Sequence, residues 1–155
     1  MWRMRPPISY KPPKPPLRLK SVPRFAEVYW CDFSISNVLP EFDDEHPAVI
    51  IRSGQKLSNP HLVVPLTSID HTGDVYAHEL SINPIPHRSA RRSWAICNHI
   101  YTVASERLRP VENPAKFSDP IFPRLSDADM RDVGILVRKA LSRLLAASLA
   151  EPGGG

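Results

Sequence analysis

Short apolar runs with a two-residue period dominate the chain between residues 25 and 104. The run EVYWCDF places Val28 and Trp30 on one side and Tyr29, Cys31 and Phe33 on the other, the alternation of an aromatic-rich β-strand. Turn-forming Gly, Asn, Pro and Asp residues separate the runs. Further strands are predicted at PAVIIRS, HLVVPLTS, residues 75–82, SWAIC and HIYTVA. Strands of this length and spacing predict a mainly β fold, either a small barrel or a strongly bent sheet.

The apolar period lengthens only near the end of the chain. Ser126 followed by Asp129 fits a helix-capping box, and apolar residues then recur at three- and four-residue intervals from Met130 to Leu145. One amphipathic helix is therefore predicted over residues 126–150, with its apolar stripe packed on the sheet. The terminal EPGGG, residues 151–155, is predicted to end the helix and fray.

Composition divides the chain into a tail and a body. KPPKPP favours polyproline II and buries little apolar surface, which predicts a disordered basic tail at residues 1–22 and one domain over residues 23–150. Seven basic residues precede the first acidic one, Glu27, leaving 13 basic against 16 acidic residues and a body charge near −3. The tail could be a solubilising extension, an electrostatic arm for nucleic acid or a PxxP ligand.

Several classes of site are not indicated. Cys31 and Cys97 lie in apolar runs without metal-ligand spacing, which predicts buried reduced thiols. The chain has no phosphate-binding loop, dinucleotide fingerprint, zinc-protease helix or nucleophile elbow, and no metal or other cofactor is expected. A signal peptide and an 18-residue apolar span are also lacking, which predicts a soluble, cytoplasmic protein.

The ordered set VYWCDF, HPAVII, HLVVPLTS, AHELSI and SWAICNHIYTVASERL resembles the toxins of the MazF/PemK type II toxin-antitoxin family. Members carry an x-D-V-Y-x-x-D-[FL] strand, an R-P-[AV]-[VL]-[VI] strand after a loop, a V-x-P-[IL]-T-[ST] strand and a run ending I-R-T-V-x-x-x-R-L. The resemblance covers residues 25–110, with the terminal helix in its expected place. It implies an SH3-like β-barrel with a C-terminal helix and a homodimer that cleaves single-stranded RNA, such as mRNA, without a metal. It also implies a cognate antitoxin.

The same resemblance points to two catalytic positions. Family members use the threonine of P-x-T-S, which is Thr67 here, and an arginine before the strand proline, where this chain has His46. RNA is cut when its own 2′-hydroxyl attacks phosphorus, which requires a proton acceptor, a proton donor and groups that stabilise the developing negative charge. The acidic residues 43–45 directly before His46 are expected to raise its pKa.

Seven further residues are candidates for RNA binding. Ser68 offers a hydroxyl beside Thr67, and HRSARRS offers a basic loop that is either a phosphate-binding patch or a solvated turn. The imidazoles of His46, His78 and His99 could also act as acid and base. The candidates are Ser68, Arg52, His78, His99, Arg88, Arg91 and Arg92.

Two alternatives from other functional classes stay open. Since His46 replaces an arginine and Tyr101 stands where I-R-T has another, the chain could be a weakened or inactive module that binds RNA or a protein partner. In the second alternative, the proline-rich arm is the functional element and the domain is the scaffold that presents it to a partner.

Overall fold

A computed structural model of the chain describes residues 14–34 and 42–149. Within these residues, seven strands are followed by two helical segments, and two short 3₁₀ turns lie at Pro86–Arg88 and Ser105–Arg107. The strands are β1 Val28–Asp32, β2 Glu45–Arg52, β3 His61–Thr67, β4 Ala77–Glu79, β5 Trp94–Ile96, β6 Tyr101–Val103 and β7 Leu108–Arg109. The helical segments are α1 Asp127–Ala140 and α2 Ser142–Leu149. The first six strands lie where the apolar runs predicted them.

The strands form one antiparallel sheet around β3. Its order is β4-β5-β3-β2-β1-β7, and β6 pairs with the first half of β3 while β5 pairs with its end. Within the described residues, the edge strands β4 and β7 do not pair with each other, so the sheet is open. The prediction of a mainly β fold with a C-terminal helix is confirmed at this level.

The central strands are buried on both faces. Ala48, Ile50 and Val63 belong to one apolar cluster, whereas Val49 and Val64 belong to another on the opposite face. Two-sided burial explains why β2 and β3 read as nearly continuous apolar runs and do not alternate with polar residues.

The turn between β2 and β3 is fixed by a buried histidine. Gly54 N–H donates to Nδ1 of His61 over 2.8 Å, so Nε2 of His61 carries the hydrogen and donates to Ser105 Oγ, also at 2.8 Å. A side chain at Gly54 would meet the Pro60 carbonyl oxygen at 2.3 Å, and this close approach requires glycine. The turn therefore sets where β3 begins relative to β2.

Part of the predicted tail contacts the domain. Leu19 is buried in the same cluster as Phe33 and Val63, and Lys14 forms a 2.7 Å ion pair with Glu106. The proline-rich residues 1–13 and the predicted frayed end at 151–155 lie outside the described residues.

Helix α1 begins as predicted. Ser126 is its N-cap and accepts a hydrogen bond from the Asp129 backbone N–H at 3.1 Å. The predicted helix over residues 126–150 is divided at Leu141, whose N–H is shared between the carbonyls of Val137 and Arg138. This bifurcated bond tightens the end of α1 and separates it from α2. None of the helices in the described part of the chain is long and apolar enough to cross a membrane.

Asp129 attaches α1 to the sheet. Its carboxylate accepts hydrogen bonds from His78 Nε2 at 2.8 Å and from Ser81 Oγ at 2.7 Å. Burial raises the pKa of Asp129, but hydrogen bonds from His78, Ser81 and Ser126 outweigh this effect and hold it below its ordinary value. His78 is thus a structural partner of the helix.

Replacing Asp129 by asparagine keeps the shape and removes the charge. We expect Asp129→Asn to lower the free energy of unfolding at pH 7 by about 2 kcal/mol, since hydrogen bonds to a charged acceptor are lost. Because the folded pKa is depressed, the difference from wild type is full above the ordinary aspartate pKa of about 3.9 and disappears as pH falls through the folded value. Urea unfolding, followed by tryptophan fluorescence at pH 7 and at a pH below the folded pKa of Asp129, measures the difference in stability between the variant and the wild type.

The matched control is Asp132→Asn on the same helix, where the carboxylate is half-exposed and 3.9 Å from His78. An equal loss of stability in the two variants would contradict the specific role of Asp129.

Candidate functional site

Strand register brings His46 and Thr67 together. Ala48 pairs with Pro65 and Val49 with Val64, and continuing this register by two residues places His46 opposite Thr67. On its other side, His46 is paired with Cys31 of β1. The two predicted catalytic residues therefore lie at the same end of the sheet, although 20 intervening residues form two strands and a turn.

Two adjoining cavities share these residues. The arginine cavity is lined by Trp30, Glu45, Ser68 and Arg88 in addition to His46 and Thr67. The histidine cavity is lined by the same His46 and Thr67, together with Phe42, Asp43, His71, Asp74, Asn98 and His99. Because His46 and Thr67 line both cavities, the cavities adjoin at these two residues, and together they are called the extended cleft.

The His46 imidazole is held by aromatic rings. Its ring meets the Phe42 ring edge-on, with centroids 4.8 Å apart, and Phe33 lies 6.4 Å away. Burial lowers the pKa of His46, and the opposing effects of Asp44 and Asp43 are smaller. Asp43 and Asp44 act to raise the pKa of His46, as predicted. The larger effect of burial lowers it, so the prediction of a raised pKa is wrong. Burial therefore favours the neutral imidazole of His46, the form that can accept a proton.

The Thr67 hydroxyl is oriented by the backbone. Thr67 is buried, and its Oγ1 accepts a hydrogen bond from Ile69 N–H at 3.2 Å. The hydroxyl hydrogen is then left to donate to a ligand in either cavity. Ser68, its neighbour, is exposed at the mouth of the arginine cavity.

Arg88 provides positive charge in the cleft. Its guanidinium carbon lies 5.3 Å from the centre of the Trp30 ring, a cation–π contact. Among residues 14–34 and 42–149, Arg88 forms no ion pair. Its charge is consequently available to an anion.

Arg109 is a second cation that stacks on Trp30, and it was not among the residues predicted for the site. It lies 5.1 Å from the Trp30 ring centre and donates from Nε to Glu45 Oε1 at 2.7 Å. Glu45 is one of the three acidic residues directly before His46, and this hydrogen bond directs its carboxylate at Arg109. No spacing in the sequence indicates the contact, which arises because β7 pairs with β1 at Trp30.

The remaining candidates are dispersed. His99 lines the histidine cavity, whereas Arg52 lies at the other end of β2, about 20 Å along the strand from His46 at 3.3 Å per residue. Arg92 is exposed, stacks 4.6 Å from the Trp94 ring centre and is paired with Glu79. Arg91 is exposed in the loop after Arg88.

Both cysteines are buried free thiols, as the apolar runs predict. Burial raises the pKa of Cys31 and of Cys97 to about 12. Neither thiol is ionised at neutral pH, so neither is suited to be a nucleophile.

Comparison with known proteins identifies the family of the chain. The family of PemK-like, MazF-like toxins of type II toxin-antitoxin systems matches residues 24–141. The chain belongs to this family. The match runs from the residues before β1 to the end of α1, and so includes every residue of the cleft described above. A search of curated proteins found no match.

Solved structures share the fold at low sequence identity. MazF from Deinococcus radiodurans has a TM-score of 0.60 and 14% identity, covering 79% of this chain and 99% of that one. An endoribonuclease in complex with its cognate antitoxin, from a Mycobacterial species, has a TM-score of 0.54 and 14% identity, covering 77% and 95%. A MazE-MazF structure from Deinococcus radiodurans has a TM-score of 0.50 and 17% identity, covering 81% and 97%.

The environment of His46 leads to a titration experiment. We expect His46 to titrate below the ordinary histidine pKa of about 6.5, because burial disfavours the imidazolium. Asp44→Asn should lower that pKa further, since the Asp44 carboxylate favours the charged ring. Two-dimensional NMR of the imidazole Cε1–H group, followed against pH, measures both values.

Asp119→Asn, a change at an exposed site that lines neither cavity, is the matched control and should leave the titration unchanged. A His46 pKa at or above 6.5 would mean that the neighbouring acids outweigh burial.

Proposed function

We propose that this family member is a toxin that cleaves single-stranded RNA, such as mRNA, as a metal-independent endoribonuclease. The observation that carries the proposal is the position of His46, a half-buried imidazole whose neutral form is favoured, opposite the Thr67 hydroxyl in a cleft that also holds Arg88. A proton acceptor, a hydroxyl donor and a cation are the groups that 2′-hydroxyl attack on phosphorus requires.

In this mechanism the RNA backbone passes through the extended cleft. His46 removes the proton of the 2′-hydroxyl as the oxygen attacks the adjacent phosphorus. Thr67 donates a hydrogen bond to a non-bridging phosphate oxygen, and Ser68 contacts the phosphate at the cavity mouth. The bond from phosphorus to the 5′-oxygen breaks, and that oxygen takes up a proton from water or from a donor in the cleft. The products are a 2′,3′-cyclic phosphate and a 5′-hydroxyl.

Arg88 supplies the charge that an arginine at the position of His46 would otherwise contribute. A guanidinium holds two phosphate oxygens at once and stays charged at any useful pH. Its stacking on Trp30 limits the positions of the side chain and keeps it beside the cleft. Arg91, in the following loop, extends the positive surface for the RNA backbone.

The wider biology follows from the family. We propose that the open sheet is of the SH3-like barrel type, and that the chain acts as a homodimer in the cytoplasm and inhibits growth unless a cognate antitoxin binds it. The Mycobacterial endoribonuclease with its antitoxin and the MazE-MazF structure support an antitoxin partner, since both share this fold.

An RNA-cleavage assay in EDTA tests the proposal. Purified protein should cut mixed-sequence single-stranded RNA at discrete positions and leave cyclic-phosphate ends. His46→Ala should slow cleavage by about 10²-fold or more, because general-base catalysis is lost. Thr67→Ala should cost about 10²- to 10³-fold, the usual effect of removing one transition-state donor.

Arg52→Ala is the matched control, because it removes a cation of the same strand at the end remote from His46. It should leave the rate near that of the wild type. If folded wild-type protein leaves the RNA intact, the nuclease proposal is wrong. That result would favour the alternative of a module that binds RNA or a protein partner. Cleavage that requires a divalent ion would contradict the metal-independent mechanism.

A further inference from the structure

A second histidine faces the same space as His46. The ring of His99 meets the Phe42 ring edge-on with centroids 5.3 Å apart, just as His46 meets it at 4.8 Å. Since both rings contact one phenyl ring, their centres are at most about 10 Å apart. Both imidazoles also line the histidine cavity, with Thr67 as a third wall. A phosphodiester with hydrogen bonds of about 3 Å at each end fits a span of this size.

Tyr101 orients the second imidazole. Its hydroxyl oxygen accepts a hydrogen bond from the Phe42 backbone N–H at 3.0 Å and lies 3.3 Å from Nδ1 of His99. An oxygen with two lone pairs can accept from both groups. When Nδ1–H of His99 donates to Tyr101, Nε2 is the nitrogen left to gain and lose a proton.

We propose that His99 is the general acid of the cleavage reaction, acting on the opposite side of the scissile phosphate from His46, with Tyr101 as its positioning residue. This inference rests on the proposed endoribonuclease function and adds a second proton-transfer group to it. It gives His99 a role in the chemical step, beyond contact with RNA.

The proton and electron balance needs no further reactant. The 2′-O–H bond breaks, its proton passes to His46, and the oxygen forms a bond to phosphorus. The bond from phosphorus to the 5′-oxygen breaks with its electron pair on that oxygen, which takes the Nε2 proton of His99. Exchange of protons with water then returns both imidazoles to their starting states.

The charges around the pair determine the pH dependence. Asp43, Asp74 and His71 line the cavity beside the two rings, and Asp44 acts on His46. Burial lowers the pKa of His99, Asp74 opposes this effect and His71 adds to it. Because the reaction requires neutral His46 and protonated His99, we expect a bell-shaped rate profile with its maximum below a pH of about 6.5.

The leaving group distinguishes an acid from a base. A thiolate leaves without being protonated, so an RNA substrate with sulfur in place of the scissile 5′-oxygen does not need a general acid. We expect His99→Ala to slow cleavage of ordinary RNA by about 10²-fold or more and to cleave the sulfur substrate at close to the wild-type rate. His46→Ala should be slow on both substrates.

Two more variants complete the experiment. Tyr101→Phe should move the alkaline limb of the rate profile to lower pH, since the imidazolium of His99 loses an acceptor for Nδ1–H. His87→Ala removes an exposed histidine that lines neither cavity and should match the wild type on both substrates.

The outcomes separate the two proposals. Equal loss by His99→Ala on both substrates, or no loss on ordinary RNA, overturns the general-acid role while the nuclease stands. Recovery on the sulfur substrate supports the role and shows that the variant is folded. A wild-type protein that cuts neither substrate overturns the endoribonuclease, and this inference with it.

Discussion

The pairing of β2 with β3 is the constraint on which the site depends. These strands form the centre of the sheet, and their register decides that His46 stands opposite Thr67. A shift of one residue would turn every side chain of β2 to the other face and exchange the two apolar clusters. The Gly54–His61–Ser105 hydrogen bonds hold the turn that sets this register. A bulge between Ile50 and Arg52 lies just before that turn, so the irregularity is at the end of β2 remote from His46.

Burial gives the site its chemical character. A histidine beside two aspartates would ordinarily gain affinity for a proton, yet the aromatic rings of Phe33 and Phe42 exclude enough water to reverse that effect at His46. The same Phe42 ring contacts His99, so one side chain controls the environment of both imidazoles. Apolar packing and acid–base chemistry are therefore coupled here: a change in Phe42 would alter the protonation of both groups.

Positive charge is distributed unevenly over the surface. Arg92 is paired with Glu79 and Arg109 with Glu45, so much of their charge is neutralised by nearby carboxylates. Arg88 stacks on Trp30 instead, and its position in the cleft places a positive charge there on a side chain outside β2. A family member with histidine before the strand proline can thus keep a cation in the cleft by bringing it from another element.

The sequence by itself determined the family, the first six strands, the N-cap at Ser126 and the burial of both cysteines. These features depend on local periodicity, turn chemistry and ordered motifs, all of which are properties of neighbouring residues. Tertiary structure decided the direction of the His46 pKa, the attachment of His78 to Asp129 and the pairing of Arg109 with Glu45. Each depends on groups more than 40 residues apart or on how much water their packing excludes. Local patterns specify which face a side chain occupies, but distance and solvation in the folded chain decide what that side chain can do.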